Sequence, residues 1–349
     1  MRTPARVGLV GCGIIGKHYA EGAAAFDSFQ LVACADVDPR AAAALAAERG
    51  IEAATLDELI AEPTIDLVMN MTPPAAHAPI LRAALAAGKH VYTEKPLAAT
   101  FEEAAEVVAE AERLGLVVGC APDTFLGSAY RTAQRLIDEG RIGEPIAATA
   151  AIFTGGAESW HPNADMFYKA GGGALLDIGP YYLAALAALL GPFAAATGFA
   201  STPTPERTLA VGPRAGEVIT VDVPTHVSAV LRLERGAFAT LTASFEARGQ
   251  YESGLVVHGS EGTLALPDAN AFGGEVRLRR GEEEWQEVPY RSLGARETRG
   301  LGLDELLEAV AAGRAPRASG ALGLHVLETA TAVLEAAETG RTVELETRP

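Results

Sequence analysis

The stretch Val7-Gly8-Leu9-Val10-Gly11-Cys12-Gly13-Ile14-Ile15-Gly16 sets the reading of the whole chain. Residues 7–10 form a short apolar run with the character of a buried strand, and a G-x-G-x-x-G spacing follows at once and opens a helix. Each glycine has its own duty. Gly11 permits the tight turn, Gly13 lets the backbone approach a diphosphate, and Gly16 lets the helix pack closely on the strand, leaving free N–H groups aimed at the anion. A second apolar run, residues 31–35, ends at Asp36, 20 residues beyond Gly16, where a carboxylate can accept hydrogen bonds from an adenosine ribose. Gly11, Gly13, Ile14, Ile15, Gly16 and Asp36 are therefore candidate dinucleotide-binding residues. Asp36 would repel a 2′-phosphate and Val37 rather than Arg follows it, so NAD is favoured over NADP; Arg40 keeps the second open. The alternative is a ligand-free turn in which Asp36 merely caps the helix beginning at Pro39.

Outward from this stretch the rhythm repeats. Apolar runs at 67–71, 90–93 and 117–120 alternate with helical segments at 39–49, 76–87 and 101–114, closed by Gly50, Gly88 and Gly115. Such alternation predicts an α/β fold with a doubly wound parallel sheet over residues 1–122. After Pro122 the pattern changes. A helix at 128–139 and a single helix at 174–190 precede a strand-rich stretch, 194–289, in which 227–233 alternates faces and turns at Glu234-Arg235-Gly236-Ala237. Consecutive strands joined by tight turns predict a second, α+β domain over 123–349 with a mostly antiparallel sheet. Helices at 303–312 and 321–339 end the chain, the last free to pack back on the first domain, and the Pro/Gly-rich segment 202–216 reads as a surface loop.

Composition narrows the partners. The 349 residues carry a formal charge of −17, with 49% apolar and 21% charged residues, which suits a globular chain with sizeable cores. An acidic chain with no Lys/Arg-rich run or Cys/His finger repels phosphate backbones, so nucleic acid is excluded as a partner. No apolar run reaches membrane-spanning length, and the few apolar residues between Arg6 and Cys12 are too short for a signal segment. Cys12, Cys34 and Cys120 lie far apart in apolar surroundings and read as reduced core thiols of a cytoplasmic protein. No His-x-x-x-His, cysteine cluster or carboxylate cage points to a metal, and His226 and His258 sit in strand patterns as sheet histidines.

Four further stretches carry a family likeness. Thr72-Pro73-Pro74-Ala75-Ala76-His77, Ala87-Gly88-Lys89-His90-Val91, Glu94-Lys95-Pro96 and Gly171-Gly172-Gly173-Ala174-Leu175-Leu176-Asp177-Ile178-Gly179 stand in the order and spacing of the glucose-fructose oxidoreductase / inositol dehydrogenase / MocA family, which the chain resembles over nearly its whole length. The resemblance implies an N-terminal Rossmann domain and a C-terminal domain whose large open sheet often joins copies, hence a homodimer or homotetramer. It implies hydride transfer between NAD(P) and a hydroxyl carbon of a sugar, cyclitol or related polyol. It also implies that Lys95 is catalytic, that Thr72 and Pro73 pass under the nicotinamide half, and that His77 lies beside the cofactor, with a helix-capping role as its alternative.

The residues themselves bear on that chemistry. Glu94-Lys95-Pro96 follows a parallel strand, on the sheet edge where doubly wound folds bind ligands, and an ammonium there can bond both a substrate oxygen and the nicotinamide ribose. Without the likeness, Lys95 would read as a solvated loop lysine. The family pattern Asp-x-Gly-x-His stands here as Asp177-Ile178-Gly179-Pro180-Tyr181, so tyrosine replaces the expected acid/base histidine. A free phenol, with a pKa near ~10, needs a neighbouring cation to serve as a base. The expectation is that Lys95 and Tyr181 share the proton transfer while Asp177 orients the reacting groups; the alternative makes Tyr181 a wall of the pocket. Tyr182 points about 100° from Tyr181 on a helix, so one of the pair belongs to the core. In Glu158-Ser159-Trp160-His161-Pro162, Trp160 can stack on a sugar ring and His161 can titrate; the alternative has Trp160 plugging the domain interface and His161 facing solvent. Asp123 and Phe125 are expected to line the substrate cleft. Two other functions stay open: a lyase or hydrolase that oxidises its substrate transiently, and a non-catalytic NAD/sugar sensor.

Overall fold

The computed structural model describes residues 3–247 and 254–349. The chain folds as two units, the first running to Gly127 and taking back Leu293–Leu324, the second comprising Ser128–Ser292 and His325–Arg348. The sequence placed a boundary at 122; the structure carries the first unit a few residues further and adds a returning segment to it.

The first unit contains β1 (Ala5–Val10), α1 (Ile14–Gly22), β2 (Phe29–Ala35), α2 (Pro39–Arg49), β3 (Glu52–Ala53), α3 (Leu56–Ala61), β4 (Leu67–Asn70), α4 (His77–Ala86), β5 (His90–Thr93), α5 (Phe101–Leu114) and β6 (Val118–Cys120). The strands form one parallel sheet in the order β3-β2-β1-β4-β5-β6. Strands buried on both faces need apolar residues at every position, and Leu67, Val68 and Met69 are each fully buried. Local chemistry sets the helix ends. Asp38 caps α2 with Pro39 in its first turn, Thr55 and Glu58 form a reciprocal capping box on α3, and Gly50 and Gly115 end α2 and α5 in the left-handed region.

The second unit contains α6 (Ser128–Asp138), β7 (Pro145–Phe153), α7 (Ala174–Asp177), α8 (Gly179–Leu190), β8 (Phe193–Ser201), β9 (Glu206–Thr208), β10 (Val218–Thr220), β11 (His226–Leu233), β12 (Phe238–Ser244), β13 (Gly254–Gly259), β14 (Gly262–Leu266), β15 (Arg277–Arg280) and β16 (Gln286–Glu287). Helix α9 (Leu301–Ala311) lies in the returning segment of the first unit, and α10 (Gly320–Thr339) and β17 (Val343–Glu344) end the chain. The large sheet runs β16-β15-β14-β13-β7-β12-β11-β8-β17, antiparallel except for β7 beside β12. On β11, Val227, Ala229, Leu231 and Leu233 are buried while Ser228, Val230 and Arg232 face outward. The covered face lies under α8, which packs on β7 and α6 and is buried on nearly every side.

Two expectations are corrected. The single helix at 174–190 is broken at Ile178 into α7 and α8, because Pro180 has no N–H with which to continue the ladder. Residues 202–216 are not wholly a loop: Glu206–Thr208 pairs with Val218–Thr220 as a two-stranded sheet and buries Arg207. An arginine at the inward position of a three-residue strand conceals the alternation that would have marked it.

Candidate active site

The order of the parallel sheet reverses between β1 and β4, and in such sheets the crevice at the carboxyl ends of those strands receives ligands. The glycine turn lies there. Gly11 has φ +95°, and a side chain at that position would meet the Met71 backbone at 2.7 Å. A Cβ on Gly16 would stand 1.9 Å from the Gly11 carbonyl oxygen, so this helix can approach its strand only with glycine. Above Gly13 nothing stands within 4 Å of the Cβ position, and Ile14 and Ile15 flank it with exposed side chains.

Asp36 is locked beside this turn. Its Oδ2 accepts from the Cys12 N–H at 2.7 Å and its Oδ1 from the Asp38 N–H at 2.9 Å. The helix cap is Asp38, which accepts from the Arg40 N–H at 3.0 Å and also pairs with the Arg40 guanidinium. The space over Gly13 fits a diphosphate, and the Asp36 carboxylate, with lone pairs beyond the two in use, fits a ribose diol.

One sheet edge carries the other candidates of this unit. The Thr72 hydroxyl donates to Asn70 Oδ1 at 2.8 Å, and Asn70 Nδ2 donates to Thr93 Oγ1 at 3.1 Å, joining the ends of β4 and β5. Pro73 follows and leads into a short 3-10 turn, Pro74–Ala76. His77 is fully buried, with Nε2 2.7 Å from the Thr72 carbonyl oxygen and Nδ1 2.7 Å from that of Pro96. It makes no side-chain cap on α4; its ring bridges the segments after β4 and β5. Burial pushes its pKa down, while the Thr72 and Pro96 carbonyls, both acceptors, pull the other way by favouring a proton on each ring nitrogen. Buried Glu94 accepts from the Lys95 N–H at 2.9 Å. The backbone around half-buried Lys95 is thus held from both sides, by Glu94 before it and by His77 after it.

Asp123 and Phe125 take buried places. Asp123 has no exposed surface, and its carboxylate accepts from the Gly302 N–H at 2.9 Å and from Arg299 at 3.4 Å, both in the returning segment. Phe125 is 6% exposed.

In the second unit, Trp160, His161 and Phe167 form an edge-to-face cluster with centroids 5.2 to 5.7 Å apart, Trp160 exposed and His161 half-buried. Asp177 ends α7, half-buried, and Tyr181 lies in the first turn of α8 with 8% of its surface exposed. Tyr182 is the structural member of the tyrosine pair: it is fully buried and donates to Asp268 at 2.7 Å. The sequence reading passed over the Asn70-Thr93 pair and Arg207. A polar residue ending the apolar run Leu67-Val68-Met69-Asn70 was the available signal for the first.

Known proteins share this arrangement. Residues 5–121 match the model of the oxidoreductase family with an NAD-binding Rossmann fold, and residues 130–265 match that of the GFO/IDH/MocA C-terminal domain. The chain is 32% identical to the 1,5-anhydro-D-fructose reductase of Ensifer adhaerens, over 98% of this chain and 99% of that one. It belongs to the GFO/IDH/MocA family of oxidoreductases. Another member, the levoglucosan dehydrogenase of Pseudarthrobacter phenanthrenivorans, is 29% identical over 95% of each chain. A structure of levoglucosan dehydrogenase in complex with NADH and L-sorbose superposes with a TM-score of 0.87 at 28% identity, covering 99% of this chain and all of that one. The protein is thus a GFO/IDH/MocA oxidoreductase with an NAD-binding Rossmann domain.

Proposed function

We propose that this GFO/IDH/MocA oxidoreductase interconverts a secondary alcohol and a ketone on a sugar, cyclitol or related polyol, with NAD in preference to NADP. The observation that carries the reading is the shared sheet edge: the glycine turn after β1, Thr72 after β4 and Lys95 after β5 all lie at carboxyl ends of neighbouring parallel strands. Gly11, Gly13, Ile14, Ile15 and Gly16 would hold the diphosphate, Asp36 the adenosine ribose, and Thr72, Pro73, His77, Glu94 and Lys95 the nicotinamide half. When bound, the nicotinamide supplies the hydride acceptor or donor. Lys95 bonds the reacting hydroxyl and takes part in moving its proton, and Glu94 and His77 fix the backbone from which it reaches. Tyr181 is assigned to the same proton transfer and Asp177 to orienting the hydroxyl. Trp160 and His161 contact the substrate, the indole through an apolar ring face and the imidazole through a hydroxyl. The NAD preference is supported by the Asp36 carboxylate, fixed by two backbone N–H groups, and by Arg40, whose guanidinium is engaged by Asp38.

Absorbance at 340 nm with a panel of sugars and inositols tests the reading. Net NADH formation is expected, and Lys95→Met is expected to lower kcat by about 10²- to 10⁴-fold, the usual worth of a proton-transfer group. Tightly held cofactor with product but no net NADH would instead indicate a lyase, and binding without turnover a sensor.

We further infer self-association through the open face of the large sheet, where Phe199, Val230 and Phe238 are exposed at 82%, 42% and 52%. In-register pairing puts all three on one side. Light scattering of Phe199→Asp, expected to yield a smaller species than wild type, tests this. The three buried unpaired thiols suit a reducing compartment such as the cytoplasm, and among the described residues no helix is long and apolar enough to cross a membrane.

A further inference from the structure

The second unit buries a cation that the chemistry above does not use. Arg207, on β9, is 4% exposed. Its Nη1 donates to Glu158 Oε1 at 2.9 Å, in the long connection between β7 and α7, and its Nη2 donates to Glu246 Oε1 at 2.5 Å, just past β12. The Tyr168 hydroxyl donates to the second oxygen of Glu158, and the guanidinium carbon lies 5.3 Å from the Tyr168 ring centroid. Glu246 also accepts from the Thr204 hydroxyl at 2.7 Å and from that of Thr225. One guanidinium therefore ties together the connection 154–173, the β9 hairpin and the segments beside β11 and β12.

The electrostatics require that cation. Two carboxylates flank it, and hydroxyls of Tyr168, Thr204 and Thr225 donate to them as well, so both ends of the guanidinium fork are engaged while its buried Nε has no partner among the described residues. Against burial, which pushes the Glu158 carboxyl up, the hydrogen bonds from Tyr168 and Arg207 hold it below its usual range. Without the guanidinium, two half-buried carboxylates would face each other with no cation between them, and the connection would lift off. A lysine offers a point charge that reaches one carboxylate, whereas the planar fork reaches both. The backbone runs hard against the cluster: a Cβ on Gly156 would meet Glu158 Oε2 at 1.9 Å and both Arg207 Nη1 and the Tyr168 hydroxyl oxygen at 2.4 Å.

The two anchors from the connection, Glu158 and Tyr168, bracket Trp160, His161 and Phe167 in sequence. The connection thus has a buried charged base and an aromatic tip, with Trp160 61% exposed. We infer that Arg207 is a positioning residue for substrate recognition, docking the connection so that the Trp160-His161-Phe167 surface is offered to a sugar or polyol ring in one geometry. The inference rests on the substrate class proposed above, and the test separates the two.

The chain has two tryptophans, Trp160 and Trp285, so a Trp285→Phe background makes Trp160 the single indole. In that background Arg207→Met is expected to raise KM for the substrate about tenfold or more, as displacement of a positioning group does, while kcat changes less than about threefold. The NADH Kd, read by calorimetry, stays at its wild-type value, Trp160 anisotropy falls and its emission shifts to the red. Arg207→Lys is expected to fall between the two. A folded Arg207→Met with either KM or Trp160 anisotropy at the wild-type value overturns the inference. If no sugar or polyol is turned over by the wild type, the substrate reading fails on its own, and Trp160 anisotropy alone decides the docking role. Should Arg207→Met fail to fold, Glu158→Gln, which keeps the shape and removes one charge, carries the same readouts and the same criteria.

Discussion

Replacing His325 by glutamine should make the protein's stability less sensitive to mild acid. The His325 ring is fully buried on α10 and stacks on Phe193 at 5.6 Å. Its Nε2 accepts from the Phe193 N–H at 3.0 Å, and its Nδ1 lies 3.0 Å from the Thr347 hydroxyl oxygen. That pattern requires the neutral ring, because a proton on Nε2 would face the Phe193 N–H. Burial pushes its pKa down to about 4, against the opposing pull of the Glu328 carboxylate, from an ordinary value of 6.5. The unfolded chain therefore takes up this proton first. Stability is intact above pH 6.5, is lost as pH falls from 6.5 towards 4, and levels off below that. Between pH 7 and pH 5.5 the linkage costs the wild type about 1.2 kcal/mol, at about 1.4 kcal/mol per pH unit of full proton uptake. With a urea m-value of about 2–3 kcal/mol/M, this is a relative midpoint shift of ~0.5 M. Glutamine offers an acceptor to Phe193 and does not titrate, so the midpoint difference between wild type and His325→Gln should shrink by that amount from pH 7 to pH 5.5. His77 and His90, also pushed down by burial, act alike in both proteins and cancel. Staying at pH 5.5 or above keeps clear of the isoelectric point near 4.9. A midpoint difference independent of pH would refute the reasoning.

Three further substitutions probe the first unit. Gly13→Ala meets nothing within 4 Å and sits at φ −73°, so Tm should hold while NADH Kd, read by calorimetry, rises by about tenfold or more as the methyl fills the diphosphate space. Asp36→Ala should weaken NAD by about ten- to a hundredfold, the worth of one or two charged hydrogen bonds, and narrow the preference over NADP; unchanged affinities for both would sink the ribose assignment. His77→Ala removes the bridge between the Thr72 and Pro96 carbonyls and should lower kcat/KM about tenfold or more with the Lys95 side chain intact, a steady-state measurement in which wild-type rates would refute the clamp.

Much of the fold was legible because its signals are local. Gly11 and the helix stops Gly50 and Gly115 take positive φ, Gly16 a close approach that only glycine allows, and β2 ends at Ala35, one residue before Asp36, each where its spacing put it. Residue identity could not decide between two carboxylates two positions apart: Asp36 and Asp38 both suit a cap, and only the register of β1 with β2 brings Asp36 to the Cys12 N–H. His77 resolved for a similar reason, since its partners Thr72 and Pro96 lie on different connections. The Arg207 cluster was illegible because its members span residues 158 to 246 and every one of them is a polar residue of ordinary surface character. Asp123 looked like a cleft residue, yet its carboxylate is engaged by a segment nearly 180 positions further on.

That engagement limits how the molecule can be dissected. A fragment cut where the first domain ends in sequence would leave Asp123 or its Gly302 partner behind, along with Leu303 and Leu306, both wholly inaccessible in the intact chain, and with Asp304, which accepts from the Ser28 hydroxyl at 2.6 Å. The nucleotide-binding half is not a portable cassette. Transplanting it into another scaffold, or swapping it between relatives to exchange cofactors, takes two splices, with the distal strip around 293–324 travelling alongside the N-terminal portion.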